Sequence, residues 1–410
     1  MRPDAPEPLL PDAALSGPVG DWVRDAAQYT EADPAALLVS TLVACGVVVG
    51  RAPHFWAGDA RQTAALCAVV VADTPKANRG LSWSITRRLI EVVDPQLVRR
   101  ILTGLGNGKT VVDALGRSSR DRVPPGEPRM GGPGRLLAHE PGLTRALELG
   151  GRPSSPLPLV IRTAWDGTPL EWGRARISGH HMGIVAHATL DQLTARLSLT
   201  GGSVHFVNRF VYVIARRQRP VIDEGNVPAD LLLTHGRRLH DQLAIASTFG
   251  AVQRSPSAER RWRTVYGDLV DDDPGGLLGI IVARAARHVL RLALVYALTE
   301  ASPRIECRHI DAALALWTYC RASASVICRK TSTPSKDLSA ELLAAISAAG
   351  ERGLSFTEQH DMFGRNMPAS RLRTARSVLE EAGHVVSTKE RRPGSARAIT
   401  VTRLSTRTRR

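Results

Sequence analysis

Cysteine is sparse, lysine is sparser for so basic a chain, and no apolar run is long enough to cross a bilayer; each shortage removes a class of protein. The five cysteines, Cys45, Cys67, Cys307, Cys320 and Cys328, are odd in number, scattered and never spaced C-x-x-C. They build neither a disulfide framework nor a zinc site, and read as reduced, mostly buried thiols of a cytoplasmic protein. The longest uncharged apolar run, Ala35 to Gly50, has 16 residues, against the roughly 20 that a membrane-spanning helix needs. It follows Glu31-Ala-Asp33-Pro34, a helix start with proline in the first turn, which predicts a buried core helix and no membrane partner. Met1 to Gly17 is rich in proline and acids, with no apolar stretch behind a basic end. No signal peptide is expected, and residues 1–17 read as a disordered lead. No acidic cluster has the spacing of a metal-dependent nuclease.

What the chain has in excess is arginine. Of 54 cationic residues only Lys76, Lys109, Lys330, Lys336 and Lys389 are lysines, and the formal net charge is +15. The preference for arginine over lysine is what coding bias produces, but the net charge favours a polyanionic partner, and the planar guanidinium fork suits phosphate. At 410 residues with 43% hydrophobic and 23% charged residues, the chain has material for two to three folding units.

A strand-like, uncharged run, Ala64–Ala72, is the type covered on both faces in a parallel sheet. It enters a loop at residues 73–80 and then a helix over 81–92. Further strands are expected over 135–139, 182–186 and 209–214, with amphipathic segments over 143–149 and 190–197 between them. Alternation of this kind predicts an α/β sheet over residues 18–220. Beyond Pro220, helices are expected over 230–249, 258–270, 277–298 and 309–327, an extension of residues 221–330 packed on the core. Arg284, Arg287 and Arg291 fall on one side of the third, either as a solvated face or as a working patch.

A linker, 331–337, precedes a small domain, 338–404, and a basic tail, 405–410. Ser355-Phe-Thr-Glu358 is a capping box that starts the second of three helices; the third stops at Gly383. Strands over 385–388 and 398–401 follow, joined by a basic loop. Three helices and a basic hairpin predict a winged helix, a module that binds either DNA or protein. For DNA, Arg371 and Arg373 on the third helix and Lys389, Arg391, Arg392 and Arg397 on the hairpin are the candidates. The last 81 residues carry a net +7, nearly as much as the +8 of the preceding 329.

Two segments offer themselves as phosphate loops. Gly104-Leu-Gly-Asn-Gly108-Lys109-Thr110 ends as a Walker A motif does, but Thr103 stands where its first glycine belongs. Ala72-Asp73-Thr74-Pro75-Lys76-Ala77-Asn78-Arg79-Gly80-Leu81-Ser82 is poor as a motif, yet has the right context after a buried strand and opening a helix. There, backbone N–H groups and the helix dipole favour phosphate.

Several stretches, in order, resemble the family named domain of unknown function 3987, in an actinobacterial branch. They are residues 29–38, Val48–Phe55, Gly80–Trp83, Ala164-Trp165-Asp166-Gly167, Asn208-Arg209-Phe210 and 289–294. The family belongs to mobile elements and phage-like replication modules and is similar to RecA/DnaB-type P-loop ATPases. The resemblance implies a RecA-like P-loop core with a winged helix behind it, ATP and Mg²⁺ as cofactors, and DNA as partner. It also implies a homo-oligomer and an accompanying primase-polymerase or other replication protein. Thr74, Lys76, Gly80 and Ser82 match the family's phosphate loop. Ala72 and Ala77 replace glycines there, Arg79 replaces a lysine and Leu81 a threonine. Alanine resists the positive φ that opens a nest to phosphate, so the loop is degenerate. Glu140 aligns with the acid that orients Mg²⁺ together with Ser82, or else is a helix-start acid before Pro141; Gly142 stands where a second acid is expected. His187 and Thr189 align with a γ-phosphate sensor, and Arg209 with an arginine that acts across a subunit boundary or on DNA. Two functions result: a DNA-associated ATPase or helicase-like protein, or a non-hydrolysing DNA-binding initiator, adaptor or regulator that retains the fold.

Overall fold

The computed structural model describes residues 7–73, 79–120, 130–152, 154–199, 206–217, 220–221, 225–332, 336–363, 369–391 and 398–405. The chain divides into two compact units: Met1–Leu193 with Gly202–Val326, and Thr194–Gly201 with Ile327–Arg410.

The first unit is built on a five-stranded sheet of β1 (Cys67–Ala72), β2 (Leu102–Thr103), β3 (Arg135–Glu140), β4 (His181–Thr189) and β5 (Val211–Ala215), in the order β2-β3-β4-β1-β5. All neighbours are parallel, as expected of strands such as Cys-Ala-Val-Val-Val-Ala that are buried on both faces. Register places Ala72 level with Thr189 and Ala215, and Glu140 level with Ala186. The carboxyl ends of all five strands therefore share one edge.

Helix α1 (Pro34–Val49) lies across this sheet, packing on β1, β3, β4 and β5. Asp33 caps it, accepting hydrogen bonds from the amides of Ala35 (2.8 Å) and Ala36 (3.2 Å). Every residue from Ala35 to Val49 is buried, the all-round burial that its uncharged sequence predicts. Close approach is set by glycine: a Cβ on Gly183 of β4 would stand 2.5 Å from Val47 Cγ2. Beside α1 packs α2 (Arg79–Val93). Helix α3 (Lys109–Arg120) packs on β3, and α4 (Leu157–Asp166) on β4. Helices α5 (Ala229–Ala246), α6 (Pro256–Asp271) and α7 (Ala285–Thr299) follow, and α5 and α7 pack on α1.

Three expectations change. The lead is docked rather than disordered from residue 7 onward: Ala14 is fully buried and its carbonyl accepts the Tyr296 hydroxyl at 2.6 Å. A proline-rich segment has little backbone freedom to lose, so a few contacts suffice to hold it. The expected helix over 277–298 is two, Gly276–Val282 and α7, interrupted at Ala283–Arg284; apolar spacing runs through the break and conceals it. Two hairpins escape the sequence reading, His54–Ala57 with Ala60–Thr63 and Leu170–Trp172 with Ala175–Ile177.

In the second unit, α8 (Lys336–Ala348), α9 (Phe356–Met362) and α10 (Ala369–Glu381) accompany an antiparallel sheet of β6 (Leu354–Ser355), β7 (Val385–Glu390) and β8 (Ile399–Leu404), ordered β6-β8-β7. Its core is Leu338, Leu342, Ile346, Leu372, Ala375, Leu379 and Val385. Both bonds of the Ser355–Glu358 capping box are formed. Thr331 and Ser332, expected in a linker, complete the helix Cys307–Ser332.

Candidate nucleotide edge and basic surfaces

The carboxyl edge of the sheet brings together Asp73 at the end of β1, the end of β3 and the end of β4. Strand β4 lies between β1 and β3, so His187, level with Val70, sits between the segment after β1 and the acid at the end of β3. Arg79 and Gly80 open α2, and Ser82, in its first turn, is buried. Thr74, Lys76 and the side chain of Arg79 lie outside the described residues. Asp73 is tied down on the other side, its amide donating to the Ala215 carbonyl (3.3 Å) and its Oδ2 meeting Arg216 Nε at 3.4 Å.

Glu140 is buried at the end of β3 with both carboxylate oxygens engaged. Oε2 accepts from the amide of Leu105 (2.7 Å) and Oε1 from that of Gly142 (3.0 Å). One bond therefore anchors the Gly104–Gly108 loop to the sheet. That loop joins edge strand β2 to α3, and the Gly104 amide donates to the His139 carbonyl at 2.8 Å. Its lysine is engaged within its own helix: Lys109 Nζ pairs with Asp113 one turn along, at 2.6 Å, on an exposed face. The strand before this loop is only two residues long and lies at the sheet edge. Each Glu140 oxygen accepts one amide and keeps a second lone pair, so the carboxylate retains acceptor capacity toward a cation. Among the described residues no cluster of three or more His, Cys, Asp or Glu has metal-holding geometry.

The sensor candidate has a defined environment. Trp83 of α2 stacks on His139 (ring centroids 4.5 Å, interplanar angle 13°), and His139 Nε2 lies 3.3 Å from His187 Nδ1. Burial pushes the His139 imidazole down to about 4, so it is neutral and one ring of the pair donates to the other. The two histidines thus couple the first turns of α2 to the ends of β3 and β4. Thr189 accepts from the Gln192 amide at 3.4 Å and caps the following helix.

Arg209 is placed differently from the sequence expectation. It ends a 3₁₀ turn, Val207–Arg209, rather than starting a strand, and is buried. Its Nη2 pairs with Asp166 Oδ2 at 3.1 Å, its Nη1 donates to Asn208 Oδ1 at 2.6 Å, and its guanidinium lies 5.7 Å from the Trp165 ring. Within this chain its fork is engaged by Asp166 and Asn208. Around it, other family-like anchors converge: Arg51 Nη2 donates to the Gly167 carbonyl (3.1 Å), and Arg291 Nη2 to that of Trp165 (2.9 Å). These anchors share one packing constellation. Arg216 and Arg217 are likewise engaged, with Glu7 and Asp73 and with Glu31.

On the second unit, Arg373 of α10, Lys389 of β7 and Arg391 beyond it are exposed. Lys389 pairs in register with Thr400, inside the strand rather than in the connecting loop. Arg392, Arg397 and the side chain of Arg371 lie outside the described residues. Arg403, which the sequence reading passed over, is held bidentately by Glu390 (2.6 and 2.7 Å).

No protein-family model and no curated protein matches the sequence. Among solved structures, the chain is similar to a full-length MCM homolog from Methanopyrus kandleri, at 17% identity and a TM-score of 0.41. The match covers 76% of this chain and 60% of that one, so this chain spans about three fifths of that protein's length. Among the described residues no helix is long and apolar enough to cross a membrane.

Proposed function

We propose that this chain is a DNA-associated, P-loop-derived protein of a mobile-element replication module, allied to the family named domain of unknown function 3987. It binds the phosphates of ATP at the junction between β1 and α2. The observation that carries this reading is the strand order: β4, with His187 and Thr189, stands between the strand that feeds the junction and the strand that ends in Glu140. A RecA-like ATPase needs that arrangement, a polar sensor strand flanked by phosphate loop and acid. Ligands of open parallel sheets bind at the carboxyl edge, where helix N-termini supply unpaired N–H groups. The second unit, with three helices and a three-stranded antiparallel sheet, supports a winged helix that contacts DNA through α10 and the β7–β8 hairpin.

A second reading is favoured by Glu140. Its carboxylate anchors two backbone amides and so has a structural task of its own, which suits a protein that binds nucleotide without hydrolysing it and acts as initiator, adaptor or regulator. Phosphate release with and without single-stranded DNA separates the two. The ATPase reading requires DNA-stimulated release that falls at least tenfold in Glu140→Gln, the order expected when a group acting on the transition state is lost. Release at background in both proteins, with ATP still bound, leaves the non-hydrolysing reading.

A further inference from the structure

Away from the nucleotide edge, the first unit has a cleft of about 690 Å³ whose lining combines aromatic rings with arginines. The hairpin His54–Ala57/Ala60–Thr63 contributes Trp56, α6 contributes Trp262 and Tyr266, the break before α7 contributes Arg284, and the first turn of α7 contributes Arg287. No Asp or Glu lines it. Trp56 is 57% exposed and Tyr266 49% exposed, a poor use of large rings unless something covers them. The Tyr266 ring packs 5.7 Å from that of Trp262, which in turn lies under Arg254 at 5.8 Å. Arg254 is already held by Glu259, at 2.7 Å. Arg284 and Arg287 have no carboxylate within ion-pair distance among the described residues, and the buried Nε of Arg284 has no hydrogen-bond partner among them. Arg284 is half-buried over the Trp165 ring, 5.6 Å away. Desolvation, with Arg209 second, lowers its guanidinium pKa; Asp166 opposes this in part, and Arg287 and Arg162 add to the repulsion. An anion entering here relieves that repulsion.

We infer that this cleft binds a segment of single-stranded nucleic acid, unpaired bases stacking on Trp56 and Tyr266 while the backbone phosphates lie on Arg284 and Arg287. Ring faces accept any base, and cationic forks track the backbone, which is how sequence-tolerant strand binding is built. A duplex does not suit the cleft, because a paired base has both faces covered by its neighbours. The site rests on other residues than the proposed ATP edge and shares with that reading only the nucleic-acid partner.

The test is fluorescence anisotropy of a labelled oligothymidylate with the full-length protein, repeated over a series of salt concentrations. Alongside it run an abasic deoxyribose-phosphate strand, the matching duplex and free thymidine monophosphate. A Lys389→Gln/Arg391→Gln background removes part of the tail's contribution. In that background Trp56→Ala should weaken oligothymidylate binding about tenfold, the value of one stacked base. Arg284→Gln/Arg287→Gln should reduce the salt dependence by about 0.7 per lost phosphate contact. The abasic strand should bind more weakly than oligothymidylate and be indifferent to Trp56→Ala. Tyr266→Ala provides a second exposed ring should the first variant not fold. Equal binding of abasic and normal strands, a duplex that loses as much on Trp56→Ala, or binding of the mononucleotide alone would each overturn the inference. ATP binding, measured on the same variants, should be unchanged; its loss in wild type would count against the nucleotide edge and leave the cleft standing.

Discussion

Arg291 shows what residue type alone conceals. It is spaced with Arg284 and Arg287 as if on one face, yet it is fully buried, its guanidinium 3.6 Å from the Trp165 ring centroid. A buried cation is tolerated only when its N–H groups find acceptors. Here Gln62 Oε1 accepts from Nε and Nη2, and the carbonyls of Ala65 and Trp165 accept from Nη1 and Nη2. Arg291→Ala leaves a cavity and stranded acceptors, and should lower the stability of the first unit by about 3 kcal/mol in urea melts. Loss under about 1 kcal/mol would mean the site collapses without it. Buried histidines supply a pH signature. Burial pushes His181 and His288 down to about 3 and His139 to about 4. In the unfolded chain each protonates near pH 6.5, so below that the unfolded state binds more protons. Stability is fully present above pH 6.5 and falls as pH drops from there towards those folded values. Each fully buried histidine contributes up to about 1.4 kcal/mol per pH unit. Urea midpoints should fall between pH of about 7 and about 5, with a shallower decline in His288→Phe; a midpoint independent of pH would contradict the assignment. At this scale the sequence named Glu140, His187 and Ser82 as edge residues. It misplaced Arg291, because whether that guanidinium faces water or buried acceptors depends on Gln62, Ala65 and Trp165, each more than a hundred residues away.

The elements were easier to read than their limits. The all-apolar run after Asp33-Pro34 announced α1, and the Ser355–Glu358 box announced α9, because caps and burial are local. Edge strand β2, two residues long, carries no periodic signal, and the Ala283–Arg284 break lies inside unbroken apolar spacing. Neither hairpin in the first unit has the length to show alternation. Contact between elements is where close packing can be tested. A Cβ on Gly183 would meet Val47 Cγ2 at 2.5 Å, Val43 Cγ1 at 3.1 Å and the Leu66 carbonyl at 3.2 Å. The methyl contacts can shift a little, but the backbone oxygen on the other side limits the relief. Gly183→Ala should therefore cost about 2 kcal/mol by overpacking α1 against β4, read as a lowered melting midpoint. An unchanged midpoint would show that α1 rides further from the sheet.

Across the whole molecule the parallel sheet was legible from four strand-like runs separated by helical segments, whereas the strand order was not. Order arises from which helix covers which strand, and no single segment encodes it. That order puts the junction after β1, the His139–His187 pair and Glu140 along one edge, and the account of a phosphate pocket depends on it. The most direct test is isothermal titration of the purified full-length protein with ATP, with and without Mg²⁺. It predicts binding at millimolar nucleotide or tighter, weakened about tenfold in Gly80→Val, where a branched side chain fills the space beside the α2 amides. No heat of binding in the wild-type protein, or an affinity indifferent to Gly80→Val, would contradict it.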